Sequence, residues 1–345
     1  MSSDFPAPEE PTTETETAAA APTGLVARPK STGLHVGDAK PGVAKVDPII
    51  IADGVRRTFG GLTAVDVDHL EIPRNAITAL IGPNGAGKTT LFNLLTGFDK
   101  PNEGTWTFDG TALSGVPPAF KVARMGQVRT FQLTKALGLL TVLDNMKLGA
   151  KDQRGEGFWS SLVPAFWRSQ DSEIETRARG LLAKFKLDAK ANDFAASLSG
   201  GQRKLLEMAR ALMSEPKLVM LDEPMAGVNP ALTESLLDHI LDLKDQGMTV
   251  LFVEHDMHMV RHIADWVVVM AEGRVVAEGD PHSVMQDPAV IDAYLGAHQE
   301  LDLGVVTGRF TADEADPTTD AEASTEVEAE SLADAGLAEL EEEDK

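Results

Sequence analysis

The segment Gly82-Pro83-Asn84-Gly85-Ala86-Gly87-Lys88-Thr89-Thr90 has the spacing of a phosphate cradle: a glycine, four residues, then Gly-Lys-Thr. Its glycines let the backbone curl so that the N–H groups of Asn84, Gly85, Ala86 and Gly87 converge on phosphate oxygens. The N-terminus of the helix that follows adds the positive end of its dipole. Lys88 supplies a point charge for the outer phosphates, and the Thr89 hydroxyl suits a magnesium ion. A chance match to this pattern in a chain of this length is an event of roughly one per cent. The flanks also fit, because Ala76–Ile81 reads as a short buried strand and Leu91–Leu95 as the start of a helix.

Further groups could serve the same chemistry. Leu218-Val219-Met220-Leu221-Asp222-Glu223 is an apolar strand ending in two carboxylates. Open α/β sheets place ligand groups at such strand ends. Asp222 suits a water-mediated hold on magnesium and Glu223 the polarising of an attacking water. Ser199-Gly200-Gly201-Gln202 opens a strong helix, with Ser199 as its N-cap and bare backbone N–H groups behind it. That is a second anion-type site in a chain with one phosphate loop, and it is explained most simply if it completes the pocket of a second subunit. Gln132 and His255 stand singly at strand ends, where a satisfied surface residue is the commoner reading. Phe59 sits in an Arg57–Gly61 turn, as consistent with core packing as with stacking on a purine.

The elements that must position these groups are legible in the patterning. Ile49-Ile50-Ile51 reads as a first strand, and Val65, Val67, Leu70 and Ile72 as an antiparallel one. Thr105–Asp109, Val128 onward, Leu218–Leu221, Thr249–Val253 and Trp266–Met270 read as further strands. Residues 133–215 are mainly helical in pattern, ending in a helix at about 201–213, and an amphipathic helix is expected over 231–246. Residues 1–47, rich in Pro, Thr, Ala and Glu, and the acidic stretch 299–345 are expected to be disordered, with a weak amphipathic pattern through Leu332, Leu337 and Leu340.

Composition narrows the function classes. The net charge is −23, but residues 299–345 carry 16 acids against 2 bases, so the body is only mildly acidic and lacks the basic footprint of a nucleic-acid binder. The chain has no cysteine, which suits a reducing compartment. No apolar run approaches the ~20 residues of a membrane helix, and the acidic, Pro-rich start is unlike a secretory signal. A soluble, cytoplasmic type of chain is expected.

Taken in order, the phosphate loop, Gln132, Leu198-Ser199-Gly200-Gly201-Gln202, the Asp222-Glu223 strand and His255 resemble the ATP-binding cassette (ABC) ATPases over about residues 48–298. The resemblance implies an α/β P-loop NTPase fold: a RecA-like core, an antiparallel β subdomain, and an inserted helical subdomain at about 133–215 that faces a membrane partner. It implies ATP and Mg²⁺ as ligands. Phe59 then falls at the adenine-stacking aromatic, Gln132 at the Q-loop that also reaches the metal, Ser199–Gln202 at the signature, and His255 at the switch histidine. Phe59–Val65, Leu95–Phe98, Ala123–Gly126, Val128–Gln132, Ala226–Pro230, Glu254–Met257 and Pro288–Gly296 look like the ATPases of branched-chain amino-acid importers. Asn229 departs from the Asp usual in the wider family, but this subgroup commonly carries Asn there.

An importer ATPase is therefore expected at the cytoplasmic face of the membrane. Its partners would be permease subunits, a second cassette (a copy or a paralogue) in a head-to-tail dimer and, indirectly, a solute-binding protein. A urea- or amide-type importer is the close alternative. A soluble ABC protein of translation or DNA repair would usually fuse two cassettes or carry a long coiled-coil insertion, and neither is seen. A non-catalytic ATP-binding regulator is disfavoured by Glu223 and His255. The aromatics Phe158, Trp159, Phe166 and Trp167 lie near the implied permease contact, although packing within their own subdomain is the commoner use of such residues.

Overall fold

The computed structural model describes residues 40–113, 118–130, 136–151, 153 and 168–295. Alternating patterning builds the first layer. β1 (Pro48–Phe59) and β2 (Leu62–Pro73) form a long antiparallel hairpin in which Val55 faces Val67. Val65, Val67, Leu70 and Ile72 are all buried, but the two pairs fall on opposite faces of the strand, and β2 is buried at every residue from Leu70 to Pro73. The turn expected over Arg57–Gly61 is shorter than that: Arg57, Thr58 and Phe59 belong to β1, and the chain reverses at Gly60-Gly61, both at positive φ. Two such residues are what a tight hairpin needs. A register shift between Arg57 and Thr58 breaks the alternation and hides the strand in the sequence.

β3 (Ile77–Ile81) leaves this layer for a second sheet. β4 (Glu103–Phe108) and β5 (Thr111–Ala112) complete the first, ordered β2-β1-β4-β5. The second sheet takes β6 (Gln127–Arg129), β7 (Leu218–Asp222), β8 (Thr249–Val253), β9 (Trp266–Ala271) and β10 (Arg274–Gly279) in the order β10-β9-β3-β8-β7-β6. All its pairings are parallel except β10 with β9. β3, β7 and β8 are buried at every residue, which explains why each reads as an unbroken apolar run.

The helices are α1 (Lys88–Leu95), α2 (Ala119–Arg124), α3 (Val142–Lys147), α4 (Arg168–Lys184), α5 (Gly200–Leu212), α6 (Pro230–Asp245), α7 (Met257–Ile263), α8 (Pro281–Val284) and α9 (Pro288–Leu295). Leu91, Phe92, Leu94 and Leu95 of α1 share one apolar cluster with residues of both sheets. This packing fixes the helix that must face phosphate. The described residues between 136 and 215 carry α3, α4 and α5, two short 3₁₀ turns and one isolated bridge, Thr141–Phe194. Phe158, Trp159, Phe166 and Trp167 lie outside the described residues, as do Leu332, Leu337 and Leu340.

Part of the leader assigned to disorder is pinned. Glu278 on β10 accepts the Val43 N–H and the Lys45 ammonium at 2.9 and 2.7 Å, and Trp266 Nε1 donates to it at 2.9 Å. Lys45 and Glu278 are buried, so each charge depends on the other. The anchor lies over two hundred residues away in sequence, beyond the reach of any local composition rule.

Candidate nucleotide site

β3 sits inside the second sheet between β8 and β9, and the phosphate loop leaves its C-terminal end. The loop ends at Gly87, in the left-handed region at φ 96° and N-terminal to α1, with no side chain capping the helix. The first N–H groups of α1 are thus kept for a ligand. A Cβ on Gly87 would meet the Ala64 carbonyl oxygen at 2.3 Å, so β2 seats the loop so closely that only glycine fits.

The Lys88 ammonium donates to the carbonyls of Gly82 and Pro83 at 2.7 and 2.9 Å. Burial pulls its pKa below the usual lysine range, while the charges of Glu223 and Asp222 push the other way. The chain thereby brings the phosphate-loop cation and both strand-end carboxylates into one field. A cavity of about 530 Å³ opens here, lined by Leu62, Thr63, Ala64, Asn84 through Thr90, Glu223 and Glu272. A larger cavity, about 630 Å³ between α4, α6 and the Glu215-Pro216 turn, holds none of these residues, and we set the chemistry at the phosphate loop on its geometry and charge.

Asp222 closes β7 and is buried, and Glu223 follows at φ 45°, a left-handed backbone rare for a residue with a side chain. Such strain persists where the surroundings enforce it, here through the Glu223 N–H bond to the Val253 carbonyl at 3.1 Å. Beyond β8, His255 is largely exposed while Glu254 is buried. Glu254 accepts the N–H groups of Met225 and His255, yet burial dominates and raises its pKa. Glu254 therefore ties the segment after β8 to the loop after β7.

Ser199 caps α5 as expected: its hydroxyl accepts the Gln202 N–H at 3.3 Å, and Gln202 Oε1 accepts the Ser199 N–H at 3.0 Å. This reciprocal box uses two of the orphan groups within the chain. Neither Ser199, Gly200, Gly201 nor Gln202 lines the phosphate-loop cavity. Phe59 is exposed at the hairpin end with the Arg57 guanidinium 4.4 Å from its ring centroid, and it does not line the cavity either. Gln132 lies outside the described residues.

A model of the family described as "ABC transporter" matches residues 65–226. The chain is 40% identical over 258 residues to the probable branched-chain amino acid transport ATP-binding protein LivG of Archaeoglobus fulgidus, covering 74% of this chain and 99% of that one. The chain belongs to the ABC transporter ATP-binding proteins. The high-affinity LivG of Salmonella typhimurium is 42% identical over 252 residues, 72% of this chain and 98% of that one. A second family, "Branched-chain amino acid ATP-binding cassette transporter", matches residues 274–300. Among solved structures, the ADP conformation of an ABC transporter cassette is 36% identical at TM-score 0.63, covering 72% of this chain and 99% of that chain. A dimeric bacterial ABC transporter cassette is 26% identical at TM-score 0.56, covering 67% and 98%.

The α/β cassette fold and the ATPase class expected from the motifs are thus established. Cassettes of this family bind nucleotide and act as dimers with membrane permease components. Among the described residues, no helix is long and apolar enough to cross a membrane.

Several residues that the motifs did not single out contact this machinery. Lys204 of α5 donates to the carbonyls of Glu223 and Pro224 at 3.3 and 3.1 Å and to that of Ala226, joining the signature helix to the loop after β7. Arg129 pairs with Asp222 at 2.6 Å. Tyr294 of α9 is buried with its hydroxyl beside the Gly82 backbone, and burial raises its pKa. No local pattern marks any of the three, since each acts on a segment far from its own.

Proposed function

We propose that the chain hydrolyses ATP to drive uptake of branched-chain amino acids through separate permease subunits. The observation that carries the substrate class is the specialised branched-chain family match at residues 274–300, on a chain about 40% identical to LivG proteins. In this reading residues 48–298 are the cassette, residues 133–215 its helical subdomain facing the permease, and residues 1–47 and 299–345 tails outside it.

Lys88 and the open N-terminus of α1 hold the β- and γ-phosphates, with the backbone from Asn84 to Gly87 and the Thr90 hydroxyl around them. Phe59, exposed at the hairpin end, stacks on adenine. The exposed Thr89 and the buried Asp222 are oxygen donors of the type Mg²⁺ prefers, so the residues fit that ion. When bound it would neutralise phosphate charge. Glu223 orients and polarises a water. Water oxygen bonds to the γ-phosphorus, the bond to the β–γ bridging oxygen breaks, and the water proton passes to the carboxylate. His255 is assigned to the γ-phosphate, and Gln132 keeps the catalytic and metal-side role that its motif implies.

The second anion site supports a shared assembly. Ser199, Gly200, Gly201 and Gln202 of one subunit cover the phosphates held by Lys88 of the other, in a head-to-tail dimer with a copy or a paralogue. The dimer is held at the cytoplasmic face by the permease, with a solute-binding protein acting indirectly. The test is reconstituted transport with permease and binding protein. ATP-dependent leucine uptake that unlabelled urea does not compete supports the assignment; urea uptake without leucine uptake overturns it.

A further inference from the structure

We infer that Arg129 is a positioning residue that holds the Asp222 carboxylate in the nucleotide-free protein and competes with the metal for it. The inference rests on the proposal that Asp222 serves Mg²⁺. Arg129 is the last residue of β6, in parallel register with Met220 of β7, so its side chain reaches the end of the neighbouring strand. One guanidinium nitrogen donates to Asp222 Oδ2 at 2.6 Å, and the other terminal nitrogen donates to Asn93 Oδ1 at 2.6 Å. The guanidinium carbon lies 5.5 Å from the Phe92 ring centroid. Arginine and aspartate side chains are only 5% and 8% exposed, so the pair is formed out of water. Three elements meet on one planar group: the β6 strand that leads to Gln132, the α1 helix that carries Lys88 and Thr89, and the β7 end that carries Asp222.

The electrostatics give this contact a consequence. A buried carboxylate needs a cation. Lys88 contributes charge, but its ammonium is spent on the Gly82 and Pro83 carbonyls, which leaves the direct pairing to Arg129. An arriving divalent cation must share or displace that guanidinium, because both draw on the same oxygens. Arg129 therefore keeps the Asp222 carboxylate aimed while raising the Mg²⁺ concentration at which the site fills. Lysine cannot replace it fully, since a single ammonium lacks the fork that holds Asn93 and Asp222 together.

The experiment titrates Mg²⁺ against binding of a fluorescent ATP analogue and follows melting temperature with and without Mg·ATP. Arg129→Met is expected to melt several degrees lower without nucleotide, with the deficit closing in saturating Mg·ATP. Its half-saturating Mg²⁺ is expected to fall about fivefold or more, the lower end of ordinary coupling between sites. Arg129→Lys keeps the charge and serves if the methionine variant does not fold; it should shift the same way by less. A melting deficit equal in both states, or a Mg²⁺ half-point unchanged or raised, overturns the inference. Asp222→Asn is run in parallel: a wild-type Mg²⁺ half-point there rejects Asp222 as a metal group, whatever Arg129 does.

Discussion

Two helix N-termini carry the glycine-rich motifs of this chain, and they are built in opposite ways. At α1 the preceding residue is a left-handed glycine with no cap, its Cβ position filled by the Ala64 carbonyl. At α5 the Ser199–Gln202 box satisfies the helix internally, and a Cβ on Gly200 would meet nothing within 4 Å. The phosphate loop is shaped by its own fold, since β2 presses against it and α1 is anchored in the core. The signature is complete as a helix cap, and among the described residues nothing comes within 4 Å of a Cβ at position 200. The open space in front of it is the room that the proposed head-to-tail dimer would use.

The comparison can be broken hardest at the phosphate-loop end. Lys88→Ala removes the loop's cation and should lower ATP turnover by about a hundredfold or more, read as phosphate release. Near wild-type turnover would remove the loop from the chemistry. Glu223→Gln should slow hydrolysis by a similar factor while ATP still binds, so that a dimer accumulates. Size-exclusion with ATP, alone and with a paralogous cassette, is the check. A species that holds ATP yet stays monomeric in both mixtures would end the head-to-tail assignment.

The glycines sharpen the contrast. Gly87→Ala meets backbone at 2.3 Å and a left-handed φ, so loss of soluble protein or of all nucleotide binding is expected. Gly200→Ala should fold with stability within about 0.5 kcal/mol of wild type, because its Cβ enters open space. Turnover should nevertheless drop, since in the proposed dimer the methyl would enter the room of the other subunit's nucleotide. Full activity in this variant would mean that the space is unused.

Smaller effects separate the two ends further. Ser199→Ala should cost about 1 kcal/mol of stability through the lost cap, seen as a modest fall in melting temperature. At alkaline pH, ATP affinity should decline below the usual lysine range. Burial lowers the Lys88 pKa, so the free protein loses that cation early as pH rises. The protonated form binds, so the loss runs in one direction only. Ser199→Ala should show the same alkaline limb, because the signature adds no titrating group of its own. An altered limb would couple the two ends within one chain.

What the residue pattern conveyed was whatever acts locally. Buried parallel strands announce themselves as apolar runs because both faces are covered, and β3, β7 and β8 were read nearly to the residue. The β2 hairpin strand is visible from the pairs Val65/Val67 and Leu70/Ile72, each at period two with a change of face between them. β1 is cut short in the sequence because Arg57–Gly61 looks like a turn, although the strand runs on through a register shift to Phe59. α2 gave no signal that distinguished it. The phosphate loop and the signature were legible because an anion site at a helix N-terminus needs particular residues at fixed spacing.

The sequence by itself determined the chemistry on offer: a phosphate cradle, two carboxylates at a strand end, and a capped, glycine-rich helix. Only the tertiary structure decided how those charges are held. Sheet order put the end of β7 within range of Lys88, and parallel register put Arg129 beside Asp222. Chain reversal brought Glu278 onto Lys45, and α9 onto the back of Gly82. A spacing rule reports what one backbone segment can do. A buried ion pair between segments far apart depends on which strands become neighbours, and that is settled by burying the apolar faces of the whole sheet.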